Sequence, residues 1–352
     1  MTVDESMVMW VGTGDMHLTY IPRKPTPLGI MMKTVVDSDS GILMGAELCE
    51  AAGVMDDYEY QREWGASVAT TLRLMKPFAN AGRIAIGDAW FGSIRTVYAL
   101  KTLQGTYAIM VVKNRSKGYP KSELKEQCKE RGDVVCMELK GLKDPRDPSK
   151  DVPMYATAHM DKAPLTLVHN CDTINAGVPR VRYFARYSKD VHKVVRARFQ
   201  LEQPSVAATY RDRFWAVDKF NKIALGPHSV MSAFRTLDWK VRFFATMLAM
   251  AETNAYLAYN YKAKQLGQTE LTRHEWKEAL GLALLDRPFD VANKSLRARE
   301  DKGDEMVQPS LLSLLDNHGV VMGRTDRKSL VCVECKASDQ QKKMAPYPRS
   351  HY

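Results

Sequence analysis

No apolar run in the 352 residues approaches the length of a bilayer span, which excludes a helical membrane protein as the reading of this sequence. The first residues, MTVDESMVMW, have neither a basic start nor a long apolar stretch, so no secretory signal is expected in them. Cysteine is sparse and scattered: six residues at 49, 128, 136, 171, 332 and 335, of which only the last two lie close together. That spacing excludes a disulfide framework and points to a reducing compartment. No internal repeat is present. What remains is an ordinary globular composition, 45% hydrophobic and 26% charged, in a chain long enough for one large or two modest cores. The net charge is +10 and the pI about 9.2. Such a balance suits a polyanionic partner such as nucleic acid, and equally a basic protein without one.

The pattern along the chain predicts an α/β fold. Residues 1–11, 17–22 and 29–38 read as three strands with short connections, an antiparallel meander. Residues 58–76 have helical spacing through Val68, Leu72 and Met75. RIAIGD (83–88) is a fourth strand, SIRTVYALKTLQ (93–104) a helix with Ser93 as its N-cap, and TYAIMVVK (106–113) a fifth strand. A strand–helix–strand order makes parallel neighbours, so a mixed five-stranded sheet is expected. Residues 114–205 turn rich in Lys, Pro and Asp with short strands, as in a mainly β insertion. Helical spacing returns at 206–222, 239–264 and 272–286, and the end of the chain is polar and basic, as in a flexible tail. The organisation expected is 1–113 and 206–290 as two parts of one domain, 114–205 as an insertion and 291–352 as the tail.

Two carboxylates fall at informative places. Asp4 lies on the first strand and Asp88 at the end of the fourth. In a mixed sheet those strands can be neighbours. Two like charges at one point each take up a proton unless a cation intervenes, and a hard divalent ion with oxygen ligands is the natural one. The competing reading makes both aspartates ordinary strand-end residues.

The order of these segments resembles the piggyBac transposase family. TVDE (2–5) matches its first catalytic strand, and YIPRKPTPLGI (20–30) its Y-I-x-x-K-P-x-x-x-G-I stretch. IGDAWFGSI (86–94) resembles its D-N-W-F-x-S segment, and PSVAATYRDRFWAVDKFN (204–221) the segment around its third aspartate. Trp239 and Asn254 fall where the family has a tryptophan and an asparagine around a long helix. The match spans roughly 1–265. It implies a ribonuclease H-like domain with an insertion ahead of the third aspartate, and Asp4, Asp88 and Asp218 as a catalytic, metal-binding triad. Two Mg²⁺ or Mn²⁺ ions would lie between them, one activating the nucleophile and one stabilising the leaving oxygen. It also implies a DNA partner, cleavage at transposon ends, insertion at TTAA, nuclear localisation and a possible homodimer.

Basic residues extend the reading. Lys113, Arg115 and Lys117 follow the fifth strand and match a basic cluster of the family, as phosphate contacts or as a solvated loop. Arg180, Arg182, Phe184 and Arg186 share one strand face that either meets a DNA backbone or is plainly exposed. Trp239 is a DNA contact by analogy and a packing residue by default. Trp90 and Phe91 form an apolar wall beside Asp88 or stack on an extruded base.

Departures from the family are specific. The first catalytic strand stands at the start of this sequence, so Asp4 is expected to fray. Asn221 replaces an additional aspartate and offers a metal an oxygen without charge; Trp215-Ala216 replaces a glycine pair, and Ala89 an asparagine. Cys332-x-x-Cys335 resembles half of a zinc motif, and no complete zinc site is expected. The expected function is a transposase catalytic domain that is not autonomous in this chain. The other reading is a domesticated or decayed remnant that touches DNA without cutting it.

Overall fold

The computed structural model describes residues 1–10, 18–22, 24, 27–113, 116–188, 190–234, 236–285, 322–323 and 331–332. Strands β1 (Thr2–Met9), β2 (Thr19–Tyr20), β3 (Leu28–Val36) and β4 (Leu43–Leu48) precede helices α1 (Ala52–Met55), α2 (Gln61–Trp64) and α3 (Ala66–Met75). Then come β5 (Ile84–Gly87), α4 (Ile94–Gln104), β6 (Tyr107–Val111) and α5 (Lys121–Gln127). Strands β7 (Val134–Glu138), β8 (Lys143–Asp144), β9 (Asp147–Asp151), β10 (Tyr155–Met160), β11 (Pro164–His169), β12 (Arg180–Ser188) and β13 (Lys193–Leu201) follow. Helices α6 (Ser205–Arg213), α7 (Ala216–Ala224), α8 (Trp239–Gln265) and α9 (Arg273–Leu285) lead to a short pair, β14 (Met322–Gly323) and β15 (Val331–Cys332). The chain divides into two compact units, Met1–Arg273 and His274–Tyr352. In the second, β14 pairs antiparallel with β15.

The first unit is built on one mixed sheet, in the order β2-β3-β1-β5-β6-β11-β10-β7, with β4 also on β3. The α/β class and mixed sheet are as expected, but the sheet has nine strands rather than five. Four strands account for the difference. β4 reads LMGAEL, without a β-branched residue to mark it. β7, β10 and β11 fall in the stretch read as an insertion; β11 pairs antiparallel with β6 and carries the sheet onward. Periodicity identifies strands, not the partners they choose. The meander is also rearranged: β1 pairs with β3, and β2 lies on β3's far side.

The sheet is covered on both faces. Val3 and Val35 pack with Val68, Leu72 and Met75 of α3 and Val97 and Leu100 of α4. On the other face Val8, Ile30 and Met32 pack with Val217, Phe220 and Ala224 of α7, while Ile86 and Ile109 meet Val206 and Tyr210 of α6. The helix expected over 206–222 is broken between α6 and α7, at Phe214 and Trp215. Ser93 caps α4 as expected, its hydroxyl accepting from Thr96 N at 3.0 Å. Helix α8 opens on Asp238, whose carboxylate accepts from Lys240 N at 2.8 Å. It is tied to the rim of the sheet by Asn254, which accepts from Leu43 N and donates to Leu43 O, both at 2.8 Å.

Candidate active site

Strands β1 and β5 run parallel with Thr2 beside Ile86 and Val3 beside Gly87. One step further, where that pairing ends, stand Asp4 and Asp88. Alternation puts Asp4 on the face of Thr2 and Ser6, which is the α7 face: Thr2 Oγ1 donates to Arg213 O at 2.8 Å and Ser6 Oγ to Asn221 Oδ1 at 2.7 Å. Asp218 lies on the same helix as Asn221, one turn earlier. The expected fraying of the first strand does not occur. Met1 is 7% exposed within the core, its carbonyl accepts from Ile86 N at 2.8 Å, and β1 pairs with β3 over all eight residues.

Asp88 and Asp218 both act on Asp4. Burial chiefly, with smaller contributions from the Asp88 and Asp218 carboxylates and against a bond from Glu5 N and the charge of Lys24, raises the Asp4 carboxyl to about 6. Burial and the nearby Asp88 and Asp4 carboxylates also push the Tyr210 hydroxyl well above the phenol range. Asp88 is fixed by its own turn: Oδ1 accepts from Trp90 N at 2.8 Å, and its carbonyl accepts from Gly92 N at 2.9 Å. The turn needs glycine at 92, where a Cβ would stand 1.8 Å from Val111 O. Asp4 Oδ1 accepts from Glu5 N at 2.7 Å. Among the described residues, no three His, Cys, Asp or Glu side chains are drawn close enough to hold a metal ion together. The donor types themselves, three carboxylates, are those a hard cation takes.

Behind the aspartates, on the opposite face of the sheet, is a pair that sequence reasoning missed. Lys33 of β3 is 2% exposed, bonds Glu5 Oε1 at 2.7 Å and lies 3.5 Å from the centroid of the Trp90 ring. It thereby ties β1, next to Asp4, to the turn that carries Asp88. Trp90 packs edge-on against Phe91, which is fully buried, so these aromatics are wall rather than stacking platform. A lysine within an apolar strand opposite a glutamate becomes visible only once the β1–β3 register is known. Beside the site a cavity of about 750 Å³ is lined by Asp218, Glu5, Lys24, Lys222 and Arg242 together with Met7 and Phe234. Its basic residues were also missed, since they come from three separate segments.

Other predicted residues are placed as follows. Asn221 is a clamp: besides accepting from Ser6, it donates to Glu5 O at 3.3 Å, so its amide fastens α7 to β1. Lys113 and Lys117 are exposed beyond β6, at the sheet end that holds Asp88, and Arg115 lies outside the described residues. Arg182 and Arg180 both pair with Asp161, whose side chain is 6% exposed, so the strand face expected to meet DNA is turned to the body of the protein. The side chains of Phe184 and Arg186 lie outside the described residues. Trp239 is half-buried at the start of α8. Cys332 is on β15, while Cys335 lies outside the described residues.

A family model described as transposase IS4 matches residues 1–256. The chain belongs to the IS4 transposase family. No curated protein matches it. Among solved structures, this IS4-family chain is similar to a piggyBac transposase synaptic complex with hairpin DNA determined by cryo-EM. The TM-score is 0.59 at 17% identity, over 89% of this chain and 59% of that one. At that identity the likeness establishes the ribonuclease H-like fold, and the piggyBac resemblance of the motifs is met at that level. The IS4-family chain spans about three-fifths of the solved protein's length. Among the described residues, no helix is long and apolar enough to cross a membrane.

Proposed function

We propose that the chain is the catalytic domain of a piggyBac-type DNA transposase, carrying out metal-dependent phosphoryl transfer at transposon ends and at TTAA targets. The observation that carries this reading is the parallel β1–β5 pairing that sets Asp4 beside Asp88, with Asp218 of α7 acting on the same carboxylate. Membership of a transposase family supports it. Asp4, Asp88 and Asp218 are the residues that would hold Mg²⁺ or Mn²⁺. A cation bound there supplies charge neutralisation at phosphorus and favours both the attacking and the leaving oxygen. The protein's own tasks are positional. Lys33 and Glu5 keep β1 in register with the Asp88 turn. Lys24, Lys222 and Arg242 line the adjoining cavity and suit the phosphates of a strand led to the aspartates. Lys113 and Lys117 suit phosphates at the mouth, with Trp239 beside the same strand. On this reading the chain acts in the nucleus on DNA ends.

A non-catalytic remnant is the second reading. It is favoured by the engagement of Asn221 with Ser6 and Glu5, and by the spacing of the three carboxylates. Calorimetric titration of Mn²⁺ into the chain and into Asp88→Ala separates the two. Binding that is lost in the variant supports an assembled acidic site. Equal binding in both, or none in either, leaves the remnant.

A further inference from the structure

The strands β12 and β13 form a ribbon of their own, outside the nine-stranded sheet. Between Arg180 and Leu201 the sequence has seven Lys or Arg and one Asp, so these 22 residues supply +6 of the chain's +10. An isolated two-stranded ribbon is marginal in water and needs a support. One face has it. Arg180 and Arg182 pair with the buried Asp161, and the guanidinium of Arg131 lies 5.5 Å from the Phe199 ring. The register sets Arg182 opposite Phe199 and Arg180 opposite Leu201, so all four belong to this anchored face.

The other face is formed by the alternate pairs, Tyr183 with Arg198, Ala185 with Arg196 and Tyr187 with Val194. It is open: Tyr183 is 73% and Tyr187 56% exposed, and Arg196 and Arg198 are exposed as well. Large rings left in water beside arginines suit a partner that offers both phosphate charge and flat or apolar surface. Nine-residue strands extend about 30 Å, and a two-stranded ribbon of that kind fits the major groove of a duplex.

We propose that the Tyr183–Tyr187–Arg196–Arg198 face of the β12–β13 ribbon is a docking surface for double-stranded DNA, separate from the carboxylate site. The inference rests on the transposase reading for the source of the DNA, but not on an active metal site. Its test is fluorescence anisotropy of the full chain with a labelled duplex of about 20 base pairs, twice the ribbon's reach, over a salt series. The triple variant Tyr183→Ala/Arg196→Gln/Arg198→Gln should weaken binding by about tenfold or more and lower the salt slope by about two. Arg196→Lys/Arg198→Lys keeps the charge and should keep the slope. Unchanged affinity and slope in the triple variant overturn the ribbon proposal while leaving the catalytic reading intact. Tighter binding of the wild type to single-stranded RNA, or to phosphatidylserine vesicles, also overturns it. Ribbon-dependent DNA binding in a chain that takes up no Mn²⁺ sustains this proposal and sinks the catalytic one.

Discussion

The end of β1 and β5 and the β12–β13 ribbon use charge in opposite ways. At the first, Asp4 is partly withdrawn from water near Asp88 and is raised to about 6 mainly by that burial. Partners there are specified to the residue: Lys33 for Glu5, and Trp90 N for Asp88. On the ribbon's outer face the charges stay in water, where each contributes little and the sum matters. The first arrangement concentrates electrostatic cost on one carboxyl. The second spreads attraction over a surface that tolerates imprecise contact and yields to salt.

This contrast can be broken most sharply at Lys33. Lys33→Met leaves Glu5 desolvated without its closest cation and should cost about 3–5 kcal/mol in urea unfolding. Adding Glu5→Gln to Lys33→Met should recover much of that; a loss under about 1 kcal/mol in the single variant would show that the pair is not buried in effect.

Asp4→Asn tests the stored cost from the other side. A folded value of about 6 against the ordinary 3.8 means that the folded chain holds a proton the unfolded chain releases. Stability therefore falls as pH rises from about 4 through about 6, and the penalty is complete at pH 7. Asp4→Asn should stabilise the metal-free chain by about 1–3 kcal/mol at pH 7 and not at pH 4, read as Tm in EDTA. Equal melting of the two chains at pH 7 would dismiss the cost.

Asn221→Asp should lower stability by about 1–2 kcal/mol, because a carboxylate cannot donate to Glu5 O and adds a charge beside Asp218. If Asn221 is only a clamp, Mn²⁺ affinity stays unchanged; a tenfold gain would recast it as a ligand position. Least is expected on the ribbon: Arg198→Gln should move unfolding stability by less than about 0.5 kcal/mol, while lowering the salt slope of DNA binding by about one.

Much of the site was legible because its signals are local. Ser93 stands at a helix start, and Asp88 closes a short apolar strand, so both can be placed from neighbouring residues. The β1–β5 juxtaposition was one pairing that a mixed sheet permits, and the sequence did not single it out. What escaped was set by pairing. β10 and β11 read as an insertion because nothing in their residues says that β11 joins β6. Arg182 read as a DNA contact because its partner, Asp161, lies 21 residues away. Lys33 has no local signal, since its glutamate comes from another strand.

One side chain at the far rim has a role unrelated to catalysis. Among the described residues β4 is paired on one side only, by β3, and its outer backbone groups form a template for another strand. Asn254 presents Leu43 with one acceptor and one donor, which is what a neighbouring peptide group offers. The amide thus acts as a one-residue counterfeit strand. It occupies at Leu43 the backbone groups that a further strand would need there.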